Sequence, residues 1–195
     1  MSTPLPDSYA LATDAQALIG RLLMKHPQDL DHLRDARIVC VFSQPTPMLR
    51  GHPCEAFIGP AKVQGVFRPF VEFLFTQFCG PVLDGYEPEF FVMIDAALWP
   101  TLDAVQRERL MFHELLHLRT KENPETGEPR LHEDGRPQLQ TVPHDHELFT
   151  REIELYAGAI PDRLEPLAQA LIEGNNRAQA KKSDEQLGRR RKRAG

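Results

Sequence analysis

Three residues of this 195-residue chain have the types and spacing that metal chemistry uses: His113, Glu114 and His117, within Met111-Phe112-His113-Glu114-Leu115-Leu116-His117-Leu118. On a helix, side chains four positions apart lie one turn apart on the same face, so both imidazoles can reach one metal ion while the carboxylate sits beside it. That is the short signature of a zinc-dependent hydrolase. Residue frequencies alone yield such a pattern in well under ~1% of chains this long. The competing reading is a helix whose two histidines are ordinary core or surface residues. Against it, Leu110, Met111, Leu115, Leu116 and Leu118 put apolar side chains on the other faces, which gives the histidines a buried, rigid support.

A catalytic zinc ion takes three protein ligands and keeps a fourth position open for water. The motif places two. The downstream candidates for the third are His132, His144, His146 and Glu147. His132 falls in a polar, turn-rich stretch, whereas His144 opens a predicted helix able to pack beside the first pair. His144 is therefore the expected third ligand, with His146 and Glu147 as alternatives. Glu114 is the expected general base, because zinc lowers the pKa of bound water towards about 7 and a carboxylate within hydrogen-bond reach can take its proton. Asp145 and Glu147 are candidates for orienting imidazoles, and Tyr156 or His146 for stabilising an oxyanion.

Periodicity and turn chemistry predict the elements that must position these groups. Leu11, Ala15, Leu18, Ile19, Leu22 and Leu23 recur at helical spacing between Tyr9 and Lys25, and Pro27 stops that helix. Arg37-Ile38-Val39-Cys40-Val41-Phe42 reads as a strand, and the proline-rich residues 43–53 as a loop. A short strand is expected near 61–67. A helix over about 69–78 then carries Phe70, Phe73, Leu74 and Phe78 inward. Glu89–Asp95 is a further strand, delivering the chain to a helix capped by Thr101 or Asp103 and running to about Leu118. From Thr120 to Pro143 the chain is nearly all polar. There Gly127-Glu128-Pro129-Arg130-Leu131 is echoed eight residues later by Gly135-Arg136-Pro137-Gln138-Leu139. Such a stretch predicts two turns of an excursion or hairpin that borders a substrate cleft. The helix opened by His144 puts Phe149, Ile153, Tyr156 and Ala157 on one face, with Asp145 suiting the dipole of its first turn. Leu164, Leu167, Leu171 and Ile172 mark a short last helix.

Composition narrows the setting. Cys40, Cys54 and Cys79 are odd in number and form no Cys-x-x-Cys pair, which argues against a disulfide framework or a thiolate zinc site and suits a reducing cytoplasm. No leader-like start and no run of membrane-spanning length is present. The formal charge of −5 hides an asymmetry: residues 177–195 carry eight Lys/Arg against two acidic residues. That tail is predicted to be disordered. It is a candidate nucleic-acid contact, unless it serves only as a solvated end. The expected organisation is an N-terminal helical segment over 1–30, a catalytic domain over 31–173 and the basic tail over 174–195.

In order, the block from Trp99 through Gln106-Arg107 to His113-Glu114-Leu115-Leu116-His117, the Gly-x-Pro excursion and His144-Asp145-His146-Glu147-Leu148-Phe149 resembles the phage and prophage metallopeptidase family. The resemblance covers roughly residues 56–158. More distantly the chain resembles the SprT-like proteases, in which a histidine ligand is followed a few residues later by an aromatic, matched here by His144 and Phe149. These resemblances imply a cytosolic α+β protein of zincin type, a small mixed sheet packed on the His-Glu-x-x-His helix, with His113, His117 and His144 on Zn2+, Glu114 as base and a protein or peptide substrate. The rival class is a non-catalytic zincin-like scaffold whose basic tail binds nucleic acid or a protein partner. Glu114 discriminates, since a closed structural site has no use for a base beside the metal.

Overall fold

The computed structural model describes residues 8–49, 51–62, 68–143, 149–161 and 164–173. In chain order its elements are β1 (Ser8–Leu11), α1 (Thr13–Lys25), α2 (Pro27–Leu30), β2 (Ile38–Gln44), β3 (Met48–Leu49), β4 (His52–Pro53), β5 (Ala56–Pro60) and α3 (Arg68–Leu83). There follow β6 (Phe90–Asp95), α4 (Ala104–Leu116), β7 (Leu118–Thr120), β8 (Leu139–Thr141), α5 (Thr150–Tyr156) and a helix α6 over 165–173. The chain divides into two units, Met1–His144 and Asp145–Gly195, each with its own packing.

The first unit is built on a four-stranded mixed sheet of order β1-β2-β6-β5. Its centre pairs β2 with β6 in parallel, Val39 opposite Phe91 and Val41 opposite Met93, while β1 and β5 flank them antiparallel. Ile38, Val39, Cys40 and Val41 are all buried, the mark of a strand covered on both faces. On one face Val39 and Val41 pack with Cys79, Val82 and Leu83 of α3. On the other, Phe42 meets Trp99 at 6.0 Å between rings, and Trp99 Nε1 donates to Asp14 of α1 at 2.7 Å. There α1 packs along α4, and α4 against β5.

The start of the chain differs from the periodicity reading. Tyr9 lies in a strand, because residues 8–11 complete the antiparallel edge of β2, and the helix begins only at Thr13. The side chain of Gln16 then extends the ladder: its amide donates to Ile38 O at 2.9 Å and accepts from Cys40 N at 2.9 Å. An edge strand thus turns into a helix without stranding the backbone groups of β2.

Two further elements shift. The strand expected near 61–67 lies earlier, at Ala56–Pro60, and residues 63–67 fall outside the described residues. Asp95 N donates to Glu55 O at 3.0 Å and Ala61 N to Glu89 O at 2.8 Å. Antiparallel phasing therefore aims the odd-numbered residues of β5 at β6, and turns the N–H and C=O of Ala56 and Ile58 to the outer edge. Pro60, which reads as punctuation, sits at an outward position where no N–H is needed. The expected break at Gly80-Pro81 lies instead in the last turns of α3. Within the expected loop 43–53, β3 and β4 form a small antiparallel ribbon, Met48 opposite Pro53 and Leu49 opposite His52.

The polar excursion is a paired arm. β7 and β8 align Leu118 with Thr141 and Thr120 with Leu139, and single bridges at Glu122–Pro129 and Leu131–Pro137 carry the pairing outward. The two echoed glycines serve its turns: Gly127 has φ 71° and Gly135 φ 85°, a region open to glycine at little cost. The tip is fastened to the sheet, since Arg136 Nη1 donates to both carboxylate oxygens of Glu89 at 3.0 Å.

In the second unit Ile153, Ile160, Leu164 and Ala168 form a small core joined by Leu171 and Ile172. The last helix thus forms where periodicity predicts it. α5 begins at Thr150, and residues 144–148 lie outside the described residues.

Candidate metal centre

The helix that carries the motif is fixed at its entry by local chemistry. Leaving β6, Asp95 Oδ1 accepts from Ala97 N at 2.8 Å and Leu98 N at 3.3 Å, bending the chain into a 3-10 turn at Trp99–Thr101. Asp103 then caps α4: its carboxylate accepts from Gln106 N at 2.8 Å while Gln106 Oε1 accepts from Asp103 N at 2.9 Å, a reciprocal capping box. Of the two expected caps, Asp103 is the one used. Arg107 donates to Trp99 O at 3.0 Å and lies over the indole ring, and Lys25 of α1 pairs with Glu108.

One charged anchor of α4 escaped sequence reasoning. Arg109, 4% exposed, pairs with Glu55 at 3.2 Å. It stands one turn before His113 and ties the helix to the residue preceding β5. In the sequence it follows Gln106, Arg107 and Glu108 and reads as one more polar residue of the helix, and its partner is 54 positions away.

Leu110, Met111, Phe112, Leu115 and Leu116 are buried, with Phe112 meeting His26 at 4.9 Å between rings. This packing leaves His113 and His117 half-buried on a common face, their rings 5.2 Å apart and nearly perpendicular at 81°. Glu114 is only 3% exposed. α4 ends at Leu116, with His117 as its C-cap, because Leu118 already pairs in the β7–β8 ladder. Both imidazoles thus sit at the carbonyl end of a helix, where the macrodipole favours a cation.

His117 is held at two points by one residue. Val142 N donates to His117 O at 2.7 Å, and His117 Nδ1 lies 2.6 Å from Val142 O. A carbonyl can only accept, so Nδ1 carries the hydrogen, and in the neutral ring the lone pair then lies on Nε2. That is the tautomer a metal ligand needs, with the second nitrogen hydrogen-bonded to protein. The next residue is steadied too, since His32 Nε2 donates to Leu118 O at 2.9 Å.

The remaining predicted residues divide. His144, Asp145, His146 and Glu147 lie outside the described residues, and among the described residues no group of three or more His, Cys, Asp or Glu side chains is assembled for a metal. His132 is 3.3 Å from Glu89 at the tip of the arm, so its near partner is that carboxylate. Tyr156 is buried in the second unit on the same helical face as Phe149 and Ile153. Glu152, fully buried, shares that face, a feature the apolar pattern hid. All three cysteines are free. The Cys54 thiol is pushed above its usual range by burial, then by the nearby Glu114 carboxylate, which places the segment before β5 within electrostatic reach of the motif.

Two imidazoles on one helix face, one with its Nδ1 held by a carbonyl, beside a carboxylate at a helix C-terminus, are donors of the kind that divalent metals take. The chain belongs to the family described as "Putative phage metallopeptidase", whose model matches residues 7–173. A metal cofactor and a peptide substrate are implied by that membership. The match takes in β1 and α1, which lie outside the motif blocks, and stops before the basic tail. No curated protein and no solved structure matches the chain. Among the described residues no helix is long and apolar enough to cross a membrane.

Proposed function

We propose that this protein is a zinc metalloendopeptidase of phage or prophage origin with a zincin-type core, in which His113, His117 and His144 hold the metal and Glu114 is the general base. The observation that carries the reading is the grip of Val142 on His117, 2.7 Å through the main chain and 2.6 Å through Nδ1. It presets the ligand tautomer of one histidine of the motif.

The chemistry supplied by bound zinc is polarisation of the scissile carbonyl and a water pKa lowered towards about 7. The protein's own groups do the rest. His113 and His117 present imidazoles from a helix whose apolar faces are packed. Glu114 takes the proton of the attacking water and returns it to the leaving amine. The outward N–H and C=O groups of Ala56 and Ile58 on β5 pair with an extended substrate backbone, fixing its register beside α4. The basic residues 177–195 supply a contact for nucleic-acid phosphates, and the reducing cytoplasm is the compartment; both assignments rest on composition.

Elemental analysis of the full chain and of His144→Ala, Glu147→Ala and Glu114→Gln, with casein or peptide cleavage in parallel, tests the assignment. The expected result is near one zinc per chain in the wild type, loss in His144→Ala, and retention in Glu147→Ala. Glu114→Gln should keep zinc while activity falls by about 10²- to 10⁴-fold. Zinc retained in His144→Ala but lost in Glu147→Ala would transfer the third ligand to Glu147.

A further inference from the structure

The ribbon β3–β4 carries apolar surface that packing does not explain. Met48 and Leu49 are 55% and 48% exposed. Neighbouring strand residues point to opposite faces, so neither face of the ribbon is buried in a core. A pair of two-residue strands with both faces open gains no stability from large apolar side chains.

The base of the ribbon runs directly into the candidate site. Cys54 N donates to Pro47 O at 3.0 Å and closes the ribbon. Glu55 follows, paired with Arg109 one turn before His113, and Ala56 opens β5. The ribbon therefore stands at the N-terminal end of the strand whose outer edge offers the N–H and C=O groups of Ala56 and Ile58. Each such residue can pair with alternate residues of an extended peptide, and Pro60 ends the donor row at the far side. A peptide in that register continues past Ala56 towards the end of the strand at which the ribbon stands.

We infer that Met48 and Leu49 form a lip that selects an apolar side chain on an extended peptide substrate lying along β5. This rests on the peptidase reading above. It assigns to that reading a substrate preference, set by a segment outside the metal-binding groups. A polar residue at that position forfeits the burial of both partners.

The test uses the full-length chain loaded with zinc and carrying Glu114→Gln, so that bound peptides are not consumed. The probes are acetylated, amidated decapeptides with Leu or Ser fixed at each position in turn, and binding is read by fluorescence anisotropy. One or two adjacent positions should favour Leu by about tenfold. In Met48→Ser/Leu49→Ser the preference should shrink to within about twofold, with Ser-peptide affinity unchanged. Met24→Ser, at a residue 78% exposed on α1, should leave it intact. A preference that survives Met48→Ser/Leu49→Ser, or equal binding of Leu and Ser peptides at every position, overturns the lip. Loss of mass in sedimentation by the double variant would make the ribbon a self-association surface and also overturn it. Cleavage by the zinc-loaded wild type, measured alongside, separates the two ideas: a peptidase without this preference refutes the lip alone, and absence of both cleavage and peptide binding refutes the parent reading with it.

Discussion

In the proposed site, His117 is a side chain made ready before any ligand arrives. An imidazole in water is free to exchange its tautomers, and a metal selects one of them. Here the carbonyl of Val142 makes the selection, so the cost of ordering is met by folding. Arg109 acts at the same scale but on position. Its guanidinium is almost wholly buried while Glu55 keeps a side-chain exposure of 34%, so the pair gains less than a fully desolvated one would. Arg109→Ala should destabilise the chain by about 2 kcal/mol, mainly through lost packing of the stem and a loosened β5. Urea denaturation checks this, and a loss under about 0.5 kcal/mol would show that the pair does not anchor the helix.

For the proposed ligand pair the decisive element is α4, because such a pair is only as well placed as its helix. Its start is specified by four residues, with Asp103 and Gln106 satisfying each other's backbone donors. Its end is set from outside, where Leu118 enters the ladder with Thr141. Asp103→Ala removes the carboxylate half of the capping box, keeping the backbone N–H of position 103 as donor to Gln106, and should cost about 1 kcal/mol. The expected signature is a lower urea midpoint with an unchanged slope. An unaltered midpoint would mean that the anchors through Trp99 and Arg107 already hold the entry. The capping box was readable from the sequence because it is local. The identity of the elements flanking α4 was not: β5 was expected later in the chain, since Gly59 and Pro60 look like breakers until pairing with β6 shows that the outward position of Pro60 needs no N–H.

Across the whole molecule, charge is unevenly spread. A net −5 includes a C-terminal segment of eight Lys/Arg and two acidic residues that lies beyond the family match at residue 173. If the tail is the nucleic-acid contact, removing residues 177–195 should abolish retention on a DNA column at low salt, while zinc content and peptide cleavage stay at wild-type levels. Unchanged retention in the truncated chain, or none in the full chain at low salt, would refute that role. The first unit owes its stability to burial on both faces of the central strands, the second to a separate apolar cluster around Ile153 and Leu164, so the truncation removes no described core.

The sequence by itself determined the motif helix, its buried faces, a cap at Thr101 or Asp103, the central strands and the two-turn excursion, because each depends on interactions spanning a few residues or on a hydrophobic period. It also carried the family, through the spacing of histidines and carboxylates. Tertiary structure alone decided which carbonyl sets the tautomer of His117, which carboxylate receives Arg109, where the edge strand lies and why Tyr9 is in a strand. Those outcomes depend on pairings between residues 25 to 54 positions apart or more, and hydrogen bonds across such distances follow from how layers pack, which no local pattern encodes.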